Sequence, residues 1–189
     1  YNNEIGMPLT VLSLKDEEIM VLEMGMNSFG EISLLSKIAK PDVAVITNIG
    51  TAHIGLLGSR QNILKAKLEI LDGLKENGTI VINYDNDLLN NWYEKEKGKY
   101  NIITYGTQNG SMFLGKNAVF HENGTDCEAV INEKEYKVHI PVGGEHFVSN
   151  SLCALSIAKI FEIPIEKALK GIENFELTKK RMEIKQAKC

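Results

Sequence analysis

The sequence predicts an α/β protein with a doubly wound, mostly parallel sheet flanked by helices and a small antiparallel β ribbon or edge. Short runs rich in Val and Ile alternate with segments of helical period, which is typical of a parallel sheet covered by helices. After residue 111 this alternation stops, and short strands separated by turn sequences follow, as in antiparallel hairpins.

Helices and strands are predicted to alternate between residues 5 and 106. The pattern begins with a helix over 5–14, a strand over 19–24 that starts with four apolar residues, and a helix over 31–39. The apolar run "VAVITNI" predicts the next strand. The predicted elements that follow are strand 43–49, helix 60–75, strand 79–85, polar helix 87–97 and strand 101–106.

The helix predicted over 60–75 has a clear apolar stripe, with Leu and Ile at positions i, i+3 or i+4, and i+7. Lys67 lies off this stripe, so its pattern indicates an ordinary solvated helix lysine. Beyond the antiparallel segment of about 112–140, helices are predicted over 147–162 and, after Pro164, over 165–174.

Composition excludes several classes of protein. The 189 residues are 43% hydrophobic, which suits a globular domain with a real core. The net charge of -4, with interleaved lysines and glutamates, provides no basic stripe, so nucleic acid is not an expected partner. The longest apolar runs are strand-sized, so no membrane insertion is expected. Three widely spaced cysteines suit unpaired thiols in a reducing cytoplasm.

Polar residues follow two of the predicted strands. In an open parallel sheet, ligands bind beyond the carboxyl ends of the strands. Glu23 ends the strand predicted over 19–24, and "TNIGTAHIG" brings His53 to the end of the next. A buried carboxylate is costly unless it is paired, hydrogen-bonded or bound to a cation such as Mg²⁺. The pattern leaves an alternative open, in which Glu23 caps a helix or pairs with a lysine and His53 is an ordinary loop residue.

Two further motifs allow more than one interpretation. "GEHFVSN" places His146 and Asn150 at i and i+4 where a helix starts, which suits either ligand contact or ordinary helix capping. "GSMFLGKN", residues 110–117, has the GxxxxGK spacing of a phosphate-binding loop but ends in Asn117 instead of Ser or Thr. Its apolar interior predicts a strand and turn, so a true phosphate loop is expected outside this chain.

Several segments in chain order resemble the central domain of the Mur ligases: "NNEIGMPLT", "EMGMNSFGEI", "TNIGTAHIG", "KAKLEIL", "VINYDND", "GEHFVSN" and "RMEI". The second and third are most similar to the family member that joins D-alanyl-D-alanine to UDP-N-acetylmuramoyl-tripeptide. The resemblance implies an ATP-dependent amide ligase of peptidoglycan precursor synthesis. The tripeptide carboxylate would attack the γ-phosphate of ATP, and the amine would then displace phosphate from the resulting acyl phosphate.

The resemblance also implies roles for individual residues. Glu23 and His53 would bind Mg²⁺, and Lys67 would be carbamylated and help to hold a second Mg²⁺, so these three residues are the expected catalytic and metal-binding set. The residues expected to bind the adenine and ribose of ATP are Asn83, His146 and Asn150, with Arg181 at a hinge near the nucleotide. Asn2 and Asn3 would face the muramyl peptide. Phe147 departs from the asparagine of many relatives, so one polar contact near the base would be missing or replaced by stacking.

The resemblance further implies how the chain is organised. Residues 1–178 are expected to be the central, ATPase-type domain without its upstream phosphate loop, and residues 179–189 a linker toward an absent C-terminal domain. Because the chain starts at Tyr1 without a methionine, we expect a fragment. Without the phosphate loop and the other domains, the fragment is expected to be inactive alone. The full enzyme is expected to be cytoplasmic and monomeric. Two alternatives remain: another ATP-dependent amide ligase of the superfamily, of the polyglutamate or cyanophycin type, or a non-catalytic nucleotide-binding domain.

Overall fold

The chain divides into two compact units, Tyr1–Ser111 and Met112–Cys189. The computed structural model describes residues 2–176. Parallel strands and their helices make up the described part of the first unit, and antiparallel strands with two helices make up that of the second. The α/β fold class and the antiparallel segment predicted from the sequence are therefore confirmed.

The first unit is built on three parallel strands, β1 (Val43–Ile46), β2 (Thr79–Asn83) and β3 (Asn101–Gly106). They lie in the order β1-β2-β3, with β2 paired on both sides. Apolar residues of β2 are fully buried, as expected for a central strand covered on both faces. Because the strands are parallel, the loops that follow them start at the same edge of the sheet.

Helices of the first unit pack around this sheet, and most lie close to their predicted positions. They are α1 (Gly6–Leu12), α2 (Glu31–Ala39), α3 (Ile54–Leu57), α4 (Arg60–Leu68), a 3₁₀ helix (Glu69–Gly73) and α5 (Asp87–Glu96). The short α3 was not predicted, and the helix predicted over 60–75 changes to 3₁₀ geometry after Leu68.

The strand predicted over 19–24 is wrong. The segment has no assigned strand, although its side chains alternate between exposed and half-buried positions. Ile19 and Val21 are exposed, whereas Met24 packs against the apolar core. A strand needs a hydrogen-bonded neighbour, and a run of apolar residues does not specify one.

The second unit contains a three-stranded antiparallel meander, β4 (Phe113–His121), β5 (Gly124–Ile131) and β6 (Lys134–Ile140). Alternate residues of β5 are buried, and helices α6 (Glu145–Ile160) and α7 (Ile165–Glu173) pack against the meander. The GxxxxGK sequence runs into β4, which confirms the prediction of a turn and strand there. Among the described helices, none has the length and apolar character needed to cross a membrane.

Candidate functional site

The loop that follows β1, residues 47–53, is held from two neighbouring elements at the carboxyl edge of the sheet. Lys67 of α4 donates from Nζ to the carbonyl oxygen of Asn48 over 2.7 Å. Asn86, which follows β2, donates from Nδ2 to Oδ1 of Asn48 over 2.8 Å. The segments after β1 and β2 therefore meet, as parallel pairing requires.

The carbonyl oxygen of Ile49, the next residue in this loop, accepts from two side chains. Arg60 donates from Nη2 over 2.9 Å and from Nε over 3.3 Å. Asn86 donates from Nδ2 over 3.2 Å. The Arg60 guanidinium also binds both carboxylate oxygens of Asp87, over 2.5 and 2.9 Å. One guanidinium thus joins the start of α4, the loop after β1 and the start of α5.

Lys67 is half-buried and does not project freely into solvent, contrary to the solvated position that its helical pattern indicated. Burial lowers the pKa of its ammonium group, because a poorly solvated site disfavours the charged form. Its Asn48 contact is a neutral carbonyl. At a given pH, a half-buried amine with a lowered pKa has a larger uncharged, reactive fraction than a surface lysine has.

His53 adopts a left-handed backbone conformation, with φ of 64°, immediately before α3. Its carbonyl oxygen accepts from the N–H groups of Leu56 and Leu57, each over 3.0 Å. Histidine tolerates this conformation better than bulky residues do, but a side chain there still carries strain. An exposed imidazole therefore lies at the end of the loop that Lys67 contacts.

Glu23 and Asn2, predicted to bind metal and substrate respectively, are neighbours. Asn2 donates from Nδ2 to Oε1 of Glu23 over 3.1 Å, and its carbonyl oxygen accepts from the Gly25 N–H over 2.7 Å. Within residues 2–176 Glu23 forms no ion pair with a lysine or arginine, so the alternative of a lysine partner is not favoured. Asn3 instead caps the start of α1, accepting from the Gly6 N–H over 2.7 Å.

Glu23, His53 and Lys67 are not joined to one another by a hydrogen bond or ion pair in the described part of the chain. That part also lacks any group of three or more His, Cys, Asp and Glu side chains arranged to hold a metal ion. Of the three predicted metal ligands, Glu23 and His53 belong to these residue types and Lys67 does not. The metal site therefore stays a prediction.

The predicted nucleotide contacts are distributed over both units. In the first, Asn83 ends β2 and accepts from the Asp85 N–H over 2.9 Å. In the second, His146 and Asn150 are exposed in the first turns of α6. The rings of His146 and Phe147 lie 4.2 Å apart, so an aromatic surface occupies this turn. Arg181 lies outside the described residues. These contacts also stay predictions.

Sequence reasoning missed Arg60, Asn86 and Asp87. Arg60 follows the helix cap Ser59 and looks like an exposed helix-start residue. Asn86 lies in "VINYDND", where its type and its position before a helix could have indicated a cap, and it does accept from the Leu89 N–H. Its second role, holding the loop after β1, depends on strand order and has no local sequence signal.

Within the second unit, the described residues form an open cleft of about 630 Å³ beside β5, β6 and α7. Its walls carry mixed charges, among them Asp126 and His139, whose side chains lie 2.7 Å apart. None of the predicted site residues lines it. Its size alone does not make it the functional site.

Comparisons with known proteins agree with the resemblance seen in the sequence. The "UDP-N-acetylmuramoyl-tripeptide--D-alanyl-D-alanine ligase" of Bacillus subtilis (strain 168) is 43% identical over 185 residues, covering 97% of this chain and 39% of that protein. The chain thus spans about two fifths of the length of this relative.

Solved structures agree as well. The crystal structure of MurF from Acinetobacter baumannii matches with a TM-score of 0.91 at 30% identity, over 98% of this chain and 41% of that one. MurF ligase from Thermotoga maritima in complex with ADP matches with a TM-score of 0.82 at 29% identity, over 97% and 42%. The sequence-family model described as "Mur ligase middle domain" matches residues 1–158. The chain therefore belongs to the Mur ligase family, and most of it corresponds to the middle domain.

Proposed function

We propose that this chain is the central part of an ATP-dependent ligase that joins D-alanyl-D-alanine to UDP-N-acetylmuramoyl-tripeptide. The observation that carries the proposal is the environment of Lys67: a half-buried lysine with a lowered pKa, bonded to the loop that bears His53. The name of the relative in B. subtilis supports the substrates and the reaction.

The environment of Lys67 suits carbamylation. The ammonium group first loses one proton to solvent, and the resulting uncharged amine attacks the carbon of CO₂. An N–C bond forms while one C=O π bond of CO₂ opens onto oxygen, and a second proton leaves the nitrogen to solvent. The cation thus becomes a carbamate anion with the release of two protons. A lowered pKa increases the uncharged fraction at a given pH. The carbamate keeps one N–H, which can still donate to the carbonyl oxygen of Asn48. The modified side chain would thus supply a carboxylate-like ligand without losing its anchor.

The carboxylate of Glu23 and a carbamate on Lys67 suit Mg²⁺, which takes oxygen ligands and keeps waters and substrate phosphates in its shell. Glu23 supplies a carboxylate whose hydrogen-bond partner is a neutral amide, so its negative charge is not offset by a lysine. His53 would bind Mg²⁺ together with Glu23, and carbamylated Lys67 would help to hold a second Mg²⁺. Mg²⁺ held there would neutralise charge on the transferring phosphoryl group.

The other predicted site residues are proposed to bind the nucleotide or the peptide substrate. Asn83, His146 and Asn150 would contact the adenine and ribose of ATP, and the T. maritima relative is named as a complex with ADP. Arg181 would lie near the nucleotide. Asn2 would face the peptide substrate while it orients Glu23 through the 3.1 Å hydrogen bond. Asn3 is proposed for the same surface, although its side-chain oxygen already caps α1.

We further propose that residues 1–178 form the ATPase-type domain and residues 179–189 lead to another domain, in a monomeric cytoplasmic enzyme. The chain alone is expected to be inactive, because it spans only 39% of the B. subtilis relative. The function is therefore tested in the longer protein that contains this sequence.

The test is phosphate release that requires ATP, Mg²⁺, the muramyl tripeptide and D-alanyl-D-alanine together. Glu23→Gln should lower kcat at least ~100-fold, because metal charge stabilisation is worth several kcal/mol and each ~1.4 kcal/mol is tenfold. Glu18→Gln is the matched control, since Glu18 is an exposed carboxylate in the same irregular segment. Phosphate release without D-alanyl-D-alanine, or equal rates for both variants, would contradict the proposal.

A further inference from the structure

We propose that Arg60 and Asn86 are positioning residues that hold the carbonyl group of Ile49 and thereby orient the 47–53 loop. This inference rests on the proposed function, because that loop presents the Asn48 carbonyl to Lys67 and ends at His53. Neither side chain is assigned contact with substrate, nucleotide or metal. Both act through the loop.

The geometry identifies the Ile49 carbonyl as the anchor of the loop. Three donor atoms of Arg60 and Asn86 converge on this one oxygen, at 2.9, 3.2 and 3.3 Å. The side chain of Ile49 is 1% exposed, so the anchor is fixed on its apolar side as well. Asn48 and His53 flank this anchor on the exposed side of the loop.

Asn86 is suited to the task because it is itself immobilised. The residue is 9% exposed, and its side chain makes contacts in two directions. Its Oδ1 accepts from the Leu89 N–H at the start of α5, while its Nδ2 donates to Asn48 and Ile49. A buried amide with these bonds has few alternative orientations, and losing them would leave carbonyl oxygens underpaired.

Arg60 cannot be replaced by lysine without loss. Its planar guanidinium donates to two carboxylate oxygens of Asp87 and to the Ile49 carbonyl simultaneously. A lysine ammonium is a compact charge on a flexible stem and lacks this fixed fork of donors. Arg60→Lys therefore keeps the charge while removing the geometry that the proposal requires.

The ion pair with Asp87 offers a different explanation, namely that Arg60 only stabilises the fold. Asp87→Asn separates the two explanations, because it removes the ion pair and leaves Arg60 free to donate to Ile49. Asn86→Ser is the complementary variant. Serine preserves a helix cap for α5 but cannot reach the loop as the amide does.

The first measurement is amide hydrogen exchange of residues 47–58 in the metal-free chain. This range includes the amides of Ile54, Leu56, Leu57 and Gly58, which are hydrogen-bonded in and around α3. Arg60→Lys and Asn86→Ser should each speed exchange there by ~10-fold, because a lost anchoring bond increases local opening. Asp87→Asn should change it much less. Urea unfolding of every variant tests whether the fold is retained.

The second measurement is Mn²⁺ binding to the chain in bicarbonate buffer, followed by electron paramagnetic resonance. Removing supports of metal ligands typically weakens metal binding 10- to 100-fold. Arg60→Lys and Asn86→Ser should weaken binding by at least ~10-fold, while Asp87→Asn binds as the unmodified chain does. This spectroscopic readout would not follow a change in stability alone.

The outcomes distinguish the two proposals. Unchanged loop exchange in Arg60→Lys, or an equal effect of Asp87→Asn, would overturn the positioning role. If the unmodified chain binds no Mn²⁺ while loop exchange responds as expected, the loop anchor stands and the proposed metal site fails. Faster exchange together with weaker Mn²⁺ binding supports both.

Discussion

At the residue scale, the function proposed for His53 conflicts with a backbone preference. Its φ of 64° suits glycine better than any residue with a Cβ atom. A glycine would let the loop enter α3 without strain, yet the sequence has an imidazole there. Backbone strain clusters at functional positions, which supports the role proposed for His53.

Substitution of His53 by glycine should separate stability from activity. His53→Gly should keep the free energy of unfolding within ~1 kcal/mol of the unmodified chain, because glycine adopts this φ freely. His53→Ala retains the Cβ strain and should be less stable than His53→Gly by ~1 kcal/mol. Urea unfolding measures both differences, and phosphate release by the longer protein should fall in both variants. A large loss of stability in His53→Gly alone would show that the imidazole holds the loop.

The sequence indicated some of the site residues, but their contacts could be obtained only from the fold. The polar residues after the strands drew attention to Glu23 and His53, whereas the pattern of α4 favoured a solvated Lys67. The structure buries half of that lysine and bonds it to Asn48, 19 positions away. Such a contact depends on which strand lies beside which helix, and local patterns do not contain that information.

Among the elements, the change from α4 to 3₁₀ geometry has an identifiable cause in packing. Ser36 of α2 is fully buried; its hydroxyl donates to the Ile70 carbonyl and accepts from the Gly73 N–H. The 3₁₀ segment thus lies directly against α2. A Cβ atom on Gly73 would come within 2.1 Å of the Ser36 carbonyl oxygen. The apolar stripe over 60–75 correctly indicated one inward face, but it could not reveal this close approach.

Gly73→Ala should therefore destabilise the first unit substantially. The added methyl group meets backbone rather than a flexible side chain, so one of the two elements must move. Overpacking of this kind costs about 1–3 kcal/mol, and the expected loss lies at the upper end of that range. Gly98→Ala is the control, since a Cβ atom at Gly98 would meet nothing within 4 Å. Equal urea midpoints for the two variants would refute the close packing.

The wrong prediction over 19–24 and the missed α3 have different causes. In 19–24 the burial of the side chains alternates, but a partner strand is needed for a ladder and an apolar run does not supply one. The four-residue α3 is too short for helical periodicity to appear. Longer elements such as α2 and β3 were predicted with their observed bounds because each shows a full repeat of its pattern.

For the whole molecule, the proposed metal site draws on three distant parts of the chain. Glu23 precedes α2, His53 precedes α3, and Lys67 lies near the end of α4. Composition and order of elements were enough to predict the α/β class, and the family resemblance joined these residues into one hypothesis. In the structure, Asn2 is hydrogen-bonded to Glu23, and Lys67 is hydrogen-bonded to the loop that ends at His53. Among the described residues, no hydrogen bond or ion pair links the first pair to the second.

A double-mutant cycle tests whether the two groups work as one site. If Glu23 and His53 hold the same metal ion, the first substitution already removes most of its effect, and the second adds little. Glu23→Gln and His53→Gln should each lower kcat of the longer protein by ~100-fold, and the double variant should lose far less than the product of the two factors. Glu23→Gln combined with Arg60→Lys provides a comparison with a positioning residue. Factors that simply multiply in the Glu23 and His53 cycle would mean that the two side chains act independently, and the single metal site would have to be abandoned.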